Sequence, residues 1–171
     1  MRHPALQPVD VPVVLQLVFS PEAKYDWLGS AVGIDGATAF RSVQRLEGAR
    51  LLLSGERRVA LNALLEFVVH GLRYAFYPVL GAEAFGVPTA YSAPPLAAEI
   101  VSAEALVWAS MKGSIRGQTL QPLYDAAPTL PGRNPPLYDA LTLIDAIRTG
   151  RARERTRATE LLEAVLTRGV A

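Results

Sequence analysis

The chain stops one helix at Gly33 and can start another at Asp35, and this tight restart constrains the fold more than any other feature. Upstream, Leu28, Ala31 and Val32 fall on one face of a short helix, and the small residues Gly29, Ser30 and Ala31 allow close approach. Gly33 suits the left-handed conformation that ends such a helix. Ile34 can plug the core from the turn, and Asp35 is a good N-cap for the next helix. There Ala39, Val43 and Leu46 recur at i, i+4 and i+7, the spacing of a buried stripe. Thr38, Arg41, Gln44 and Arg45 point elsewhere. Arginine suits guanine edges and phosphates, glutamine suits adenine, and threonine suits phosphates or a thymine methyl group.

From about Asp10 to Arg58 the chain resembles the helix-turn-helix of winged-helix bacterial transcription regulators of the MarR-like kind. The matching pieces are Leu28-Gly29-Ser30-Ala31-Val32-Gly33-Ile34, then Thr38, Arg41 and the run Arg45 to Leu52. It departs from the usual pattern at Phe40, where a small polar residue is commoner, and at Arg50, where a glycine often precedes the wing. The resemblance covers about a third of the chain. It implies a DNA-binding unit over residues 1–73 whose recognition helix carries Thr38, Phe40, Arg41, Gln44 and Arg45. It also implies a homodimer on a pseudo-palindromic duplex, acting as a repressor.

The residues after that helix fit a small hairpin. Leu51-Leu52-Leu53 reads as a strand, Ser54-Gly55-Glu56 as a turn, and Arg57-Arg58-Val59-Ala60 as the return. Arg57 and Arg58 are then placed for backbone phosphates, although exposed hairpin arginines are commonly just solvated. Upstream, Asp10 can cap a helix through Val13, Val14, Leu15, Leu17, Val18 and Phe19. That run is apolar enough to be a buried strand as well, and the downstream motif favours the helix. Residues 1–9 read as a loose arm. Tyr25 and Trp27 are expected on the outside of the three-helix unit.

Charge supports the reading only locally. Net charge is +1, so no global basic field advertises nucleic acid. Between Gly36 and Arg58, however, Arg41, Arg45, Arg50, Arg57 and Arg58 face only Glu47 and Glu56. Arg148, Arg151, Arg153, Arg155 and Arg157 form a second cluster. The arginine-rich start of the last helix faces solvent, DNA phosphate or an acidic partner, with a solvated face as the default. With no cysteine the chain has no disulfide, thiolate zinc site or cysteine nucleophile. No apolar run reaches the roughly 20 residues that span a bilayer. The start lacks a secretory leader's apolar core, so a cytoplasmic location is expected.

Asn62 can cap a helix carrying Leu64, Leu65, Phe67, Val68 and Leu72, with His70 among apolar neighbours as a packed core or interface residue. From Tyr74 to Gly132 prolines at 78, 88, 94, 95, 122, 128 and 131 break the pattern. Tyr74 to Tyr77 and Ala105 to Trp108 fit short strands, and Gly113 to Gly117 reads as a turn feeding a strand. Tyr91, Trp108, Arg116 and Tyr124 either line a pocket or are scattered core and surface residues. Beyond them Asn134 caps a helix opened by Pro135 and Pro136, with Leu137, Leu141, Ile144 and Ile147 at helical spacing, ended by Thr149-Gly150. A second helix follows over about Arg151 to Arg168. The expected fold class is therefore α+β: a winged helix-turn-helix, a mixed irregular middle and a C-terminal helical hairpin, with 74–171 as a regulatory or interaction part.

No catalytic constellation is present: no His-Glu-x-x-His helix, no Gly-x-Ser-x-Gly elbow and no phosphate loop. Glu99 with Glu104, and Asp139 with Asp145, fit surface helix and loop positions. The chain is expected not to be an enzyme and to use no cofactor or metal. A DNA-binding regulator is the leading reading. An antitoxin-like or accessory protein-interaction module and a ligand-sensing regulator are the alternatives.

Overall fold

The computed structural model describes residues 4–170, so His3 and the start of the expected arm lie outside the described residues. Three helices come first: α1 (Asp10–Phe19), α2 (Tyr25–Val32) and α3 (Gly36–Gly48). A helical stretch of α4 (Leu61–Glu66), a π turn (Phe67–Gly71) and α5 (Leu72–Ala75) follows. Next come β1 (Leu80–Pro88), the short α6 (Pro94–Ala97), β2 (Leu106–Ala109) and β3 (Ile115–Leu120). The chain ends with α7 (Leu130–Arg133), α8 (Pro135–Thr149) and α9 (Ala152–Val170). The fold is mixed α+β with one small three-stranded sheet. Among the described residues no helix is long and apolar enough to cross a membrane.

Two helices form the centre. Every residue of α1 from Asp10 to Val18 is buried, because α2 and α3 cover one side and α8 and α9 the other. That is why its sequence is apolar all round rather than on one stripe. Likewise α8 is buried continuously from Ala140 to Arg148. Around them a single apolar cluster runs from Val11 through Leu46, Leu64 and Trp108 to Leu166. The boundary expected between residues 73 and 74 falls inside α5, and both sides of it contribute to that cluster.

The sheet closes on itself. β1 runs antiparallel to both β2 and β3, which pair with each other in parallel. Val87 faces Trp108, Glu83 faces Gln118, and Leu106 faces Gln118. Such tight closure needs bare backbone at the crossings. A side chain at Gly86 would collide with the Trp108 carbonyl, and one at Gly113 with the backbone of Gly86. One buried polar centre ties this sheet to α8. Asp145 accepts hydrogen bonds from Thr89 Oγ1 (2.6 Å), Trp108 Nε1 (2.7 Å) and Arg148 Nη2 (2.8 Å). Arg148 Nη1 in turn donates to the Phe76 carbonyl (2.7 Å). Tyr138 closes the neighbourhood through its hydroxyl, which donates to the Pro88 carbonyl at 2.6 Å.

Several expectations hold. Asn134 caps α8 by accepting from the Leu137 N–H, Gly150 follows its end, and β2 and β3 stand where short strands were expected. Others are corrected. Asp10 is not the N-cap of α1 but lies in its first turn, buried, reaching back to accept from the Gln7 N–H (2.7 Å). Asn62 lies within α4 rather than capping it. Tyr74 to Tyr77 is no strand, because α5 extends to Ala75. The hairpin over 51–60 is reduced to one bridge, Leu52 with Val59, flanked by Leu53 N–H to the Arg58 carbonyl and Ala60 N–H to the Leu51 carbonyl. Asp145 is a core residue rather than a surface one, and His70 is exposed rather than packed in the core.

Candidate nucleic-acid interface

The junction of α2 and α3 is built locally. Gly33 adopts φ +93°, and the N–H groups of Gly33 and Ile34 both close onto the Gly29 carbonyl at 2.7 and 2.9 Å. Asp35 then caps α3, accepting from the Thr38 N–H at 2.7 Å and the Thr38 hydroxyl at 2.9 Å. These bonds hold the Asp35 carboxyl below its ordinary range. The same hydroxyl accepts from Arg41 Nη2 at 3.1 Å, so Asp35, Thr38 and Arg41 form one chain on the exposed side of α3. Gln44, one turn on, is exposed beside Arg41. The two line an open groove whose other wall is Pro4, Ala5 and Leu6.

At its far end α3 closes with the Arg50 N–H on the Glu47 carbonyl and the Leu51 N–H on the Leu46 carbonyl, both at 3.0 Å. That bond pattern requires a left-handed residue, and Arg50 occupies the position at φ +59°. A non-glycine residue here adopts the conformation that glycine favours.

Of the remaining expected site residues, Arg45, Phe40 and Arg57 are engaged with the protein itself. Arg45 turns inward to Asp10, with Nε 2.9 Å from Oδ2 and Nη2 2.7 Å from Oδ1, while the Ser42 hydroxyl donates to the same carboxylate at 2.6 Å. Phe40 packs edge-to-face on Tyr25 with ring centres 5.1 Å apart. Arg57 lies over the opposite partner of that stack, 5.1 Å from the Tyr25 ring centre, and donates to the Ala23 carbonyl. Arg58 stays exposed at the hairpin, 3.6 Å from Glu56, a surface pair of little energetic weight. Thus Thr38, Arg41 and Gln44 share one outward face. Arg45 adjoins it but is tied to α1, and Phe40 and Arg57 form a separate stack that fastens the hairpin to α2.

One part of this surface had no sequence signal. The last three carbonyls of α2 are satisfied by side chains from the other half of the chain. Arg133 Nη1 donates to Ser30 (3.0 Å), Asn134 Nδ2 to Ala31 (3.1 Å) and the Tyr124 hydroxyl to Val32 (2.6 Å). Asn134 Nδ2 also donates to Gln16 Oε1 of α1 at 2.7 Å. Burial pushes the Tyr124 phenol well above its ordinary value, so this hydroxyl stays a donor. Of the four residues considered for a pocket in the middle of the chain, Trp108 and Tyr124 are buried in the core, and Arg116 is exposed over the Phe85 ring. In the second arginine cluster, Arg157 pairs with Glu99 at 2.6 Å and Glu160 at 3.0 Å, while Arg148 belongs to the buried centre.

No family model matches this chain, and neither a curated protein nor a solved structure matches it.

Proposed function

We propose that the chain is a sequence-specific DNA-binding regulator that presents α3 to the major groove, with the 51–60 hairpin as its wing. The observation that carries this reading is the outward face of α3. Its donors are ordered before any ligand arrives, because the Asp35 cap holds Thr38 and Thr38 holds Arg41. Fixing a rotamer-rich arginine in advance lowers the entropic cost of binding. In this reading Arg41 contacts a guanine edge and Gln44 an adenine edge, and Arg58 contacts the phosphate backbone. Arg45 and Phe40 support α3 from behind and from the side rather than reading bases. A two-fold partner would meet the exposed Tyr74, Tyr77, Val79 and Leu80, four large apolar side chains within seven residues. Such a dimer acts as a repressor by occupying its operator.

The test is a salt titration of binding to a labelled duplex carrying the protein's own upstream region, with a scrambled duplex beside it. Preference for the native sequence and a steep salt slope are expected. Equal weak binding to both duplexes would remove the regulator reading. A second reading, a protein-interaction module, is favoured by that same apolar segment, and stoichiometric capture of a defined partner without DNA preference would establish it.

A further inference from the structure

We infer that Arg133, from the C-terminal half, is a phosphate contact that extends the DNA-facing surface beyond the N-terminal helices; this rests on the regulator reading above. Three observations lead there. First, the side chain is pinned: Nη1 is spent on the Ser30 carbonyl, and Nε and Cζ lie 3.6 and 3.8 Å from where a Cβ on Gly33 would stand. The guanidinium therefore lies over the turn from which α3 departs. Second, the residue is exposed, and Nε and Nη2 make no hydrogen bond among the described residues. A planar fork with donors to spare matches the geometry of a phosphate. Third, the charge around the turn calls for a cation. Asp35 caps α3 there, and the Asp26 carboxylate abuts Gly36. A duplex seated on α3 brings phosphates close to both carboxylates, since the N-terminal residues of a recognition helix approach the bases and the preceding helix crosses the backbone. Arg41 already faces Asp35 through Thr38, and Arg133 adds a second cation over the turn itself.

A purely structural Arg133 would do no more than cap α2, and two substitutions separate the roles. Arg133→Gln keeps an amide donor for the Ser30 carbonyl and removes the charge. Arg133→Lys keeps the charge and loses the fork. For a phosphate contact, Arg133→Gln lowers the slope of log affinity against log salt by about 0.9, the value of one phosphate neutralised on duplex DNA. Its affinity falls by the same factor on native and scrambled duplexes, because phosphates carry no sequence information. Arg133→Lys keeps the wild-type slope. A wild-type slope for Arg133→Gln, with duplex binding otherwise intact, overturns this inference alone. A wild-type protein with no preference for the native duplex overturns the regulator reading and this inference with it.

Discussion

Arg45 of α3 and Asp10 of α1 form a two-pronged ion pair across the first and third helices, with the carboxylate buried and a fifth of the arginine side chain exposed. The pair sets how far α3 stands off from α1, because Ser42, one turn before Arg45, donates to the same carboxylate. It also divides two arginines that lie four positions apart. Arg41 faces outward, held by Thr38, and Arg45 is part of the scaffold.

Alanine at these two positions should therefore act in opposite ways. Arg45→Ala leaves Asp10 buried without its counter-charge and is expected to lose at least about 3 kcal/mol of stability in urea unfolding. Arg41→Ala should leave the urea midpoint in place and weaken discrimination between native and scrambled duplexes by about 1–3 kcal/mol. A stable Arg45→Ala variant would mean that Ser42 and the Gln7 N–H suffice to satisfy Asp10.

Replacing Arg50 by glycine should stabilise the protein. A non-glycine residue at positive φ costs about 1–2 kcal/mol, and glycine returns part of that as backbone entropy in the unfolded chain. A gain near 1 kcal/mol, read as a higher melting temperature, is the expected net effect. Arg50 is exposed, so little packing is lost with its side chain.

The Asp35 cap gives a pH dependence with a definite sign. Hydrogen bonds from the Thr38 N–H and hydroxyl lower its folded pKa below the unfolded value near 3.9. Its contribution to stability is thus present above that value and lost as pH falls through the folded pKa. Asp35→Asn caps the helix without titrating. Between pH 5 and pH 3 its melting temperature should fall less than that of the wild type, and parallel curves would assign the acid sensitivity to other carboxylates.

The buried centre on α8 should be costly to open from either end. Arg148→Met strands the Asp145 carboxylate and is expected to lose about 3–5 kcal/mol. Trp108→Phe removes one of several donors to Asp145 and should lose about 1–2 kcal/mol. Both are read by urea unfolding. A near-neutral Arg148→Met would show that Thr89 and Trp108 alone hold the charge.

How much of this could be read from the residues follows from the range of the forces involved. The stop at Gly33, the cap at Asp35 and the stripe of Ala39, Val43 and Leu46 are local, so spacing and backbone preference reveal them. The sequence does not distinguish Arg45 from Arg41, because the partner of Arg45 lies 35 residues away and periodicity carries no information about it. Likewise β1 is rich in glycine and alanine and lacks alternation. It forms a strand because two neighbours pair with it. His70 sits among apolar residues in sequence, but the helix turns it outward. The cap on α2 from Tyr124, Arg133 and Asn134 joins residues 92 to 103 positions apart, beyond any local signal except the capping role of Asn134 on its own helix.

That last feature also bears on the order of events during synthesis. The last three carbonyls of α2 emerge from the ribosome with only water to bind, until Tyr124, Arg133 and Asn134 have followed. At roughly 5–20 residues per second, about a hundred further residues take on the order of 5–20 seconds. α1 waits longer for its second side, because α8 and α9 follow residue 134. Tyr124, Arg133 and Asn134 thus govern when the end of α2 gains its protein partners.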